Sequence, residues 1–244
     1  MQILLLGATG RTGLQVLKEA LNRNHTITAL ARTPESLEDL IPADHPNRSN
    51  LTIVTGSPLN TNDVASALAA SRHPVDAVIT TLNPRRASDS PFAAVDPTDS
   101  PPRMMADSMI GVLKALDSSD GNISKKTKIV ALSALGAGSS APHTNCMLRL
   151  LFRKSNMVYT YEDHDAVEEE LVRQRIERGT EAVPYVLVRP TRLVEGNEDG
   201  VARVFDGNGT VGMMETISRG AVARFLVDAA ERGEWDGKAP IIIG

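Results

Sequence analysis

The chain has 244 residues, long enough for a large core, and residues 1–244 are expected to form a single domain. With 41% hydrophobic, 23% charged and only 3% aromatic residues, it has the make-up of a globular protein whose core is mostly aliphatic. The formal charge of −4, without any basic block, speaks against electrostatic nucleic-acid binding, and the single Cys146 rules out an intrachain disulfide. A reducing, cytoplasmic setting is the expectation. The first apolar run stops at Gly7, too short for a signal peptide or a membrane span, so no membrane association is expected.

The first predicted element is a strand, Gln2–Leu6, apolar on successive residues as in a strand buried on both faces. It runs into Gly7-Ala8-Thr9-Gly10-Arg11-Thr12-Gly13. A helix, Thr12–Asn22, follows, with Leu14, Leu17, Ala20 and Leu21 at helical spacing. Strand, glycine turn and helix in this order form a dinucleotide-binding layout. Gly7 permits the sharp turn, Gly10 lets backbone approach a pyrophosphate, and Gly13 lets the helix pack close to the sheet. Thr9, Arg11 and Thr12 complete the cradle. The N–H groups at the helix start, with the positive end of its dipole, suit phosphate.

Strands are predicted next at Thr26–Ala31, Leu51–Thr55, Ala77–Thr81, Lys128–Leu132, Tyr185–Val188 and Pro240–Ile243. Between them fall helices at Pro34–Leu40, Thr61–Ala70, Pro102–Asp117, Glu162–Arg178 and Ser218–Glu231. This alternation predicts an α/β fold: a doubly wound, Rossmann-type parallel sheet with helices on both faces. In Glu162–Arg178 the acids Glu162, Asp163 and Asp165 stand at the start and Arg173, Arg175 and Arg178 near the end, opposing the helix dipole, with Gly179 as the stop. Two segments lack a period: Asn83–Pro101, rich in Pro, Ser and Asp, and the Gly/Ser-rich Gly136–Asn145. Both follow strand carboxyl ends, where open α/β sheets bind ligands. Loops near 83–101, 136–160 and 190–217 are therefore expected to wall a substrate pocket, although 83–101 reads equally well as a surface loop.

The second strand ends in Ala29-Leu30-Ala31-Arg32-Thr33, with no acid before Glu35. NAD sites place Asp or Glu near here to accept from the ribose 2′-OH, whereas an arginine fork suits a 2′-phosphate. The expected cofactor is NADP(H), held by Arg32, with Arg11 adding positive charge and Thr33 and Ser36 donating hydroxyls.

The glycine turn resembles that of the atypical short-chain dehydrogenases. Leu132-Ser133-Ala134-Leu135 resembles the serine-bearing end of their fifth strand, and Glu162-Asp163-His164 the acidic-acidic-histidine motif of the biliverdin reductase B (flavin reductase) branch. Val188-Arg189-Pro190-Thr191-Arg192-Leu193 and Trp235-Asp236-Gly237 also resemble stretches of this NmrA-like group. The resemblance implies NADP(H) binding, with Gly56 and Ser57 in the adenine region and Thr81 and Leu82 on the nicotinamide side. Thr160 and His164 stand where these dehydrogenases commonly carry a Tyr-x-x-x-Lys pair, with Tyr159 and Tyr161 out of register. The usual tyrosine mechanism is therefore not expected.

Hydride transfer needs orientation more than covalent help. Ser133 is the candidate donor to a carbonyl acceptor, or else a cap. Arg192, in the slot where the resembling branch has a histidine, is the candidate anchor for an anionic substrate group, or else a surface ion pair with Glu195. His164 reads as a ribose contact, a proton donor or packing. Arg85 and Arg86 read as a solvated pair, or else as further anchors for an anionic substrate group, His143 as a reserve donor, and Cys146 beside Met147 as apolar packing. No metal site is expected. The favoured function is NADPH-dependent reduction of a small conjugated or planar acceptor (a flavin, biliverdin, quinone or enone). The alternatives are an isomerase or dehydratase of biosynthetic tailoring, and an NADP(H)-sensing regulator. Neither substrate identity nor oligomeric state is legible.

Overall fold

In the computed structural model, residues 1–41, 44–88, 90–119, 127–196 and 200–244 are described. Among these, eight strands form one sheet. Its first six are β1 (Gln2–Leu6), β2 (Thr26–Ala31), β3 (Leu51–Thr55), β4 (Ala77–Thr80), β5 (Lys128–Leu132) and β6 (Tyr185–Pro190). The last two are β8 (Arg203–Val204) and β10 (Ile241–Ile243). The order is β3-β2-β1-β4-β5-β6-β10-β8, parallel throughout except for the antiparallel β10–β8 edge. A separate ladder pairs β7 (Arg192–Val194) with β9 (Thr216–Ser218).

Strand β1 shows why a continuous apolar run was required. Its residues alternate between the two faces, and both faces are covered. Ile3 and Leu5 join Val16, Leu17 and Leu21 of α1 (Arg11–Asn22) and Val222 and Leu226 of α7 (Arg219–Glu231). Leu4 and Leu6 join Val64 of α3 (Thr61–Ala69), Met105 and Met109 of α4 (Met104–Ser119) and Leu171 of α6 (Met157–Arg178). All four β1 side chains are essentially fully buried, worth roughly 1.5–3 kcal/mol each. A small third cluster of Leu135, Val211 and Ile241 closes the far edge.

The predicted elements fall close to these bounds, with several differences. The 34–40 helix shortens to α2 (Glu35–Glu38). The edge pieces β7, β8 and β9 and the helix α5 (Cys146–Lys154) had no sequence signal. Helix α6 starts at Met157 rather than Glu162, so Glu162, Asp163 and Asp165 lie inside it and do not oppose its dipole. Asp163 serves another helix instead. Its buried carboxylate accepts from the Met105 and Ala106 amides, both at 2.9 Å, and so caps α4. Gly179 ends α6 with φ of 55°, as expected. Cys146 and Met147 are exposed, contrary to the apolar packing expected of them. Among the described residues, no helix is long and apolar enough to cross a membrane.

Candidate active site

Strand order reverses around β1, with β2 on one side and β4 on the other, so a crevice opens at their carboxyl ends. A cavity of about 390 Å³ lies there, and Gly7, Thr9, Gly10, Arg11 and Thr12 form one wall. Gly7 has φ of 86°, a conformation costly for any residue with a Cβ. A Cβ on Gly13 would sit 2.0 Å from the Gly7 carbonyl oxygen, so α1 can lie this close to the turn only with glycine there. Thr81 holds the turn from β4, its hydroxyl reaching the Leu6 and Gly7 carbonyls at 3.2 Å. Helix α1 has Gly10 at its N-cap, no side-chain cap and no acid in its first turn. Its amide dipoles therefore face the cavity without a competing protein anion in that turn.

At the β2 end the wall comprises Leu30, Ala31, Arg32, Ser57, Pro58 and Leu59. Arg32 is half exposed and donates to Asp99 Oδ1 at 3.1 Å and to the Asp99 carbonyl at 3.3 Å. Asp99 Oδ2 takes Arg85 at 2.7 Å, so Arg85 is paired rather than simply solvated. The Ser57 amide donates to Asp63 at 2.8 Å. Gly56 lies behind this wall, where a Cβ would come within 2.7 Å of the Asp63 Cβ. It serves α3 packing. Ser36 and Thr33 are exposed and do not line the cavity.

At the other end, Leu82, Met104, Leu132 and Leu193 give an apolar wall, and Arg86 and Arg219 add charge. Arg86 is partly buried, and its Nη1 has no partner among the described residues. Arg219 was missed by sequence reasoning. It is buried at the first position of α7, where the helix dipole opposes a cation, and Glu195 compensates at 2.7 Å. Glu195 also faces Arg11 at 3.6 Å, so the expected Arg192–Glu195 pair is replaced by Arg11–Glu195–Arg219. A cation at a helix start was the available signal.

Of the expected pocket loops, 83–101 contributes most, with Asn83, Pro84, Arg85, Arg86, Ser88, Asp99 and Ser100. An Arg86–Val95 bridge orders it; residue 89 lies outside the described residues. From 190–217 only Leu193 lines the cavity, with 197–199 outside the description. Segment 136–160 supplies no lining residue. It packs on α6 instead, with Gly138 donating to Asp165 at 2.5 Å and Ser139 to Glu168 at 2.9 Å.

The three catalytic candidates are not brought to the cavity wall. Ser133 is buried one residue beyond Leu132, its amide donating to the Val188 carbonyl at 2.7 Å. Arg192 is exposed on β7. His164 is buried inside α6, and burial, with the nearby Arg189 charge, lowers its pKa to about 4. It is neutral at pH 7. Thr160, in the tyrosine slot, is buried, and its hydroxyl has no partner among the described residues. Tyr161 donates to the Leu135 carbonyl at 3.1 Å and stacks on Phe152. Burial pushes its phenol well above the usual range, which disfavours it as an acid.

Residues 7–232 match the model of a family described as NAD(P)H-binding. Reductase pytE of Aspergillus terreus is 28% identical over 261 aligned positions, covering 98% of this chain and 97% of that protein. Among solved structures, ChuY, an anaerobillin reductase of Escherichia coli O157:H7, is 18% identical with a TM-score of 0.72, covering 100% of this chain and 97% of its own. A short-chain dehydrogenase/reductase of Veillonella parvula in complex with NADP is 16% identical with a TM-score of 0.68, covering 99% and 93%. With its glycine turn, switch-point cavity and a match across nearly its whole length, the chain belongs to the NAD(P)H-binding family.

Proposed function

We propose that this protein is an NADPH-dependent reductase of a small conjugated or planar acceptor. One observation carries the reading: a single cavity joins the glycine turn, Arg32 and an apolar wall of Met104, Leu132 and Leu193. Gly7, Gly10 and the start of α1 hold the pyrophosphate, and Arg32 binds the 2′-phosphate with charge-assisted hydrogen bonds. Ser57 borders the adenine, while Thr81 and Leu82 border the nicotinamide. When bound, the cofactor supplies the hydride. The apolar wall aligns a flat acceptor, which suits conjugated rings better than a sugar. Arg86, in the cavity wall, supplies positive charge for any anionic group on that acceptor. The acceptor's proton comes from solvent, since His164 is neutral and the tyrosine slot holds Thr160. The name of the Aspergillus relative, a reductase, and that of ChuY, an anaerobillin reductase, support this class of reaction.

The test is to incubate the protein with NADPH and flavins, quinones, biliverdin and enones, following nicotinamide absorbance. Turnover with at least one acceptor is expected, faster with NADPH than with NADH. No oxidation with any acceptor contradicts the reading.

A further inference from the structure

We propose that Asp99 occupies the seat of the cofactor's 2′-phosphate, making it a built-in competitor that sets the preference between NADPH and NADH. The inference rests on the assignment of Arg32 to the 2′-phosphate. Asp99 stands in the cavity wall with one carboxylate oxygen on Arg32 at 3.1 Å and the other on Arg85 at 2.7 Å. Two oxygens of one anion, each taking a guanidinium N–H, is also the pattern by which a phosphate monoester binds two arginines. Both arginine side chains are more than half exposed, at 51% and 67%, so the pairs are weak and exchangeable. Local bonds hold Asp99 in this position. The Asp96 carboxylate accepts from the Thr98 and Asp99 amides at 2.9 and 3.2 Å. Ser100 accepts the Arg85 amide at 2.7 Å, and the Arg85 carbonyl accepts from Asp96 at 3.0 Å.

A dianionic phosphate and a carboxylate cannot share the two guanidinium groups without strong repulsion. Binding of a 2′-phosphate therefore displaces Asp99 and loosens the Arg85–Ser100 and Arg85–Asp96 bonds beside it. A ribose 2′-OH leaves them in place. Asp99 thus weakens NADPH binding selectively, and it also keeps the two arginines together before the cofactor arrives.

The test uses the full chain, wild type, Asp99→Asn and Arg32→Ala, with 2′,5′-ADP and 5′-AMP as probes in titration calorimetry. Long-range charge affects both probes, so the affinity ratio isolates the 2′-phosphate seat. Asp99→Asn is expected to raise the preference for 2′,5′-ADP by roughly three- to tenfold, the range for releasing two exposed pairs. Arg32→Ala abolishes the preference. A ratio unchanged or lowered in Asp99→Asn, while Arg32→Ala still collapses it, overturns the role of Asp99 alone. Wild type without any preference, unaffected by Arg32→Ala, removes the assignment of Arg32 and this inference with it. Hydrogen exchange on the wild type gives a second readout, free of variant folding. The Arg85 and Asp96 amides lose protection with 2′,5′-ADP and keep it with 5′-AMP; equal protection with both contradicts the displacement.

Discussion

Arg32 and His164 show how one position can be read from sequence and another cannot. Arg32 directly follows β2, and strand ends beside a glycine turn face the crevice, so its place in the cavity wall followed from order alone. Arg32→Ala is expected to weaken NADPH binding about tenfold, the scale of an exposed charge-assisted contact, with little change for NADH. Fluorescence titration of both reduced cofactors checks this. His164 lies on a polar stretch that gives no sign of burial, yet it is enclosed and its pKa falls to about 4 from 6.5. The unfolded chain takes up its proton first as pH falls. His164 therefore contributes stability in full above pH 6.5 and loses it progressively between pH 6.5 and about 4, by an order of a few kcal/mol. Urea unfolding across this range should show a shallower pH slope in His164→Gln. An identical slope contradicts the buried neutral histidine. Asp99 and Arg219 were illegible for a related reason. Each matters through a partner 67 or 24 residues away, and no local pattern records such a pair.

At the scale of elements, capping decides more than composition. Asp163 satisfies two amides at the start of α4, so Asp163→Ala leaves buried donors unpaired and should cost about 2–4 kcal/mol in chemical denaturation. Leu150→Ser on α5 should change stability by no more than about 0.5 kcal/mol, since Leu150 is 60% exposed. The central strands were legible because each buries apolar residues on both faces, and β1, β2, β3 and β5 fall at the expected bounds. Strands β7 to β9 have two or three residues each, too few for any period to register. The start of α6, residues 157–161, was missed because the residue that is buried there is Thr160, a polar one. A hydrophobic pattern cannot announce a helix whose buried positions are polar.

For the whole molecule, the reversal of strand order around β1 creates the crevice, and the close fit of α1 against the turn walls one end of it. Gly13→Ala would place a Cβ 2.0 Å from the Gly7 carbonyl, so it should push α1 off the turn, lowering the melting temperature and abolishing cofactor binding together. The chain order of β1, turn, α1 and β2 made this end of the site legible. The apolar end is assembled from four distant segments, at Leu82, Met104, Leu132 and Leu193, and was only partly so. The most direct measurement is titration calorimetry of the wild-type protein with NADPH and NADH. One saturable site per chain is expected, tighter for NADPH; absence of binding heat with either cofactor, under conditions where the protein is folded, would contradict a nicotinamide site at the glycine turn.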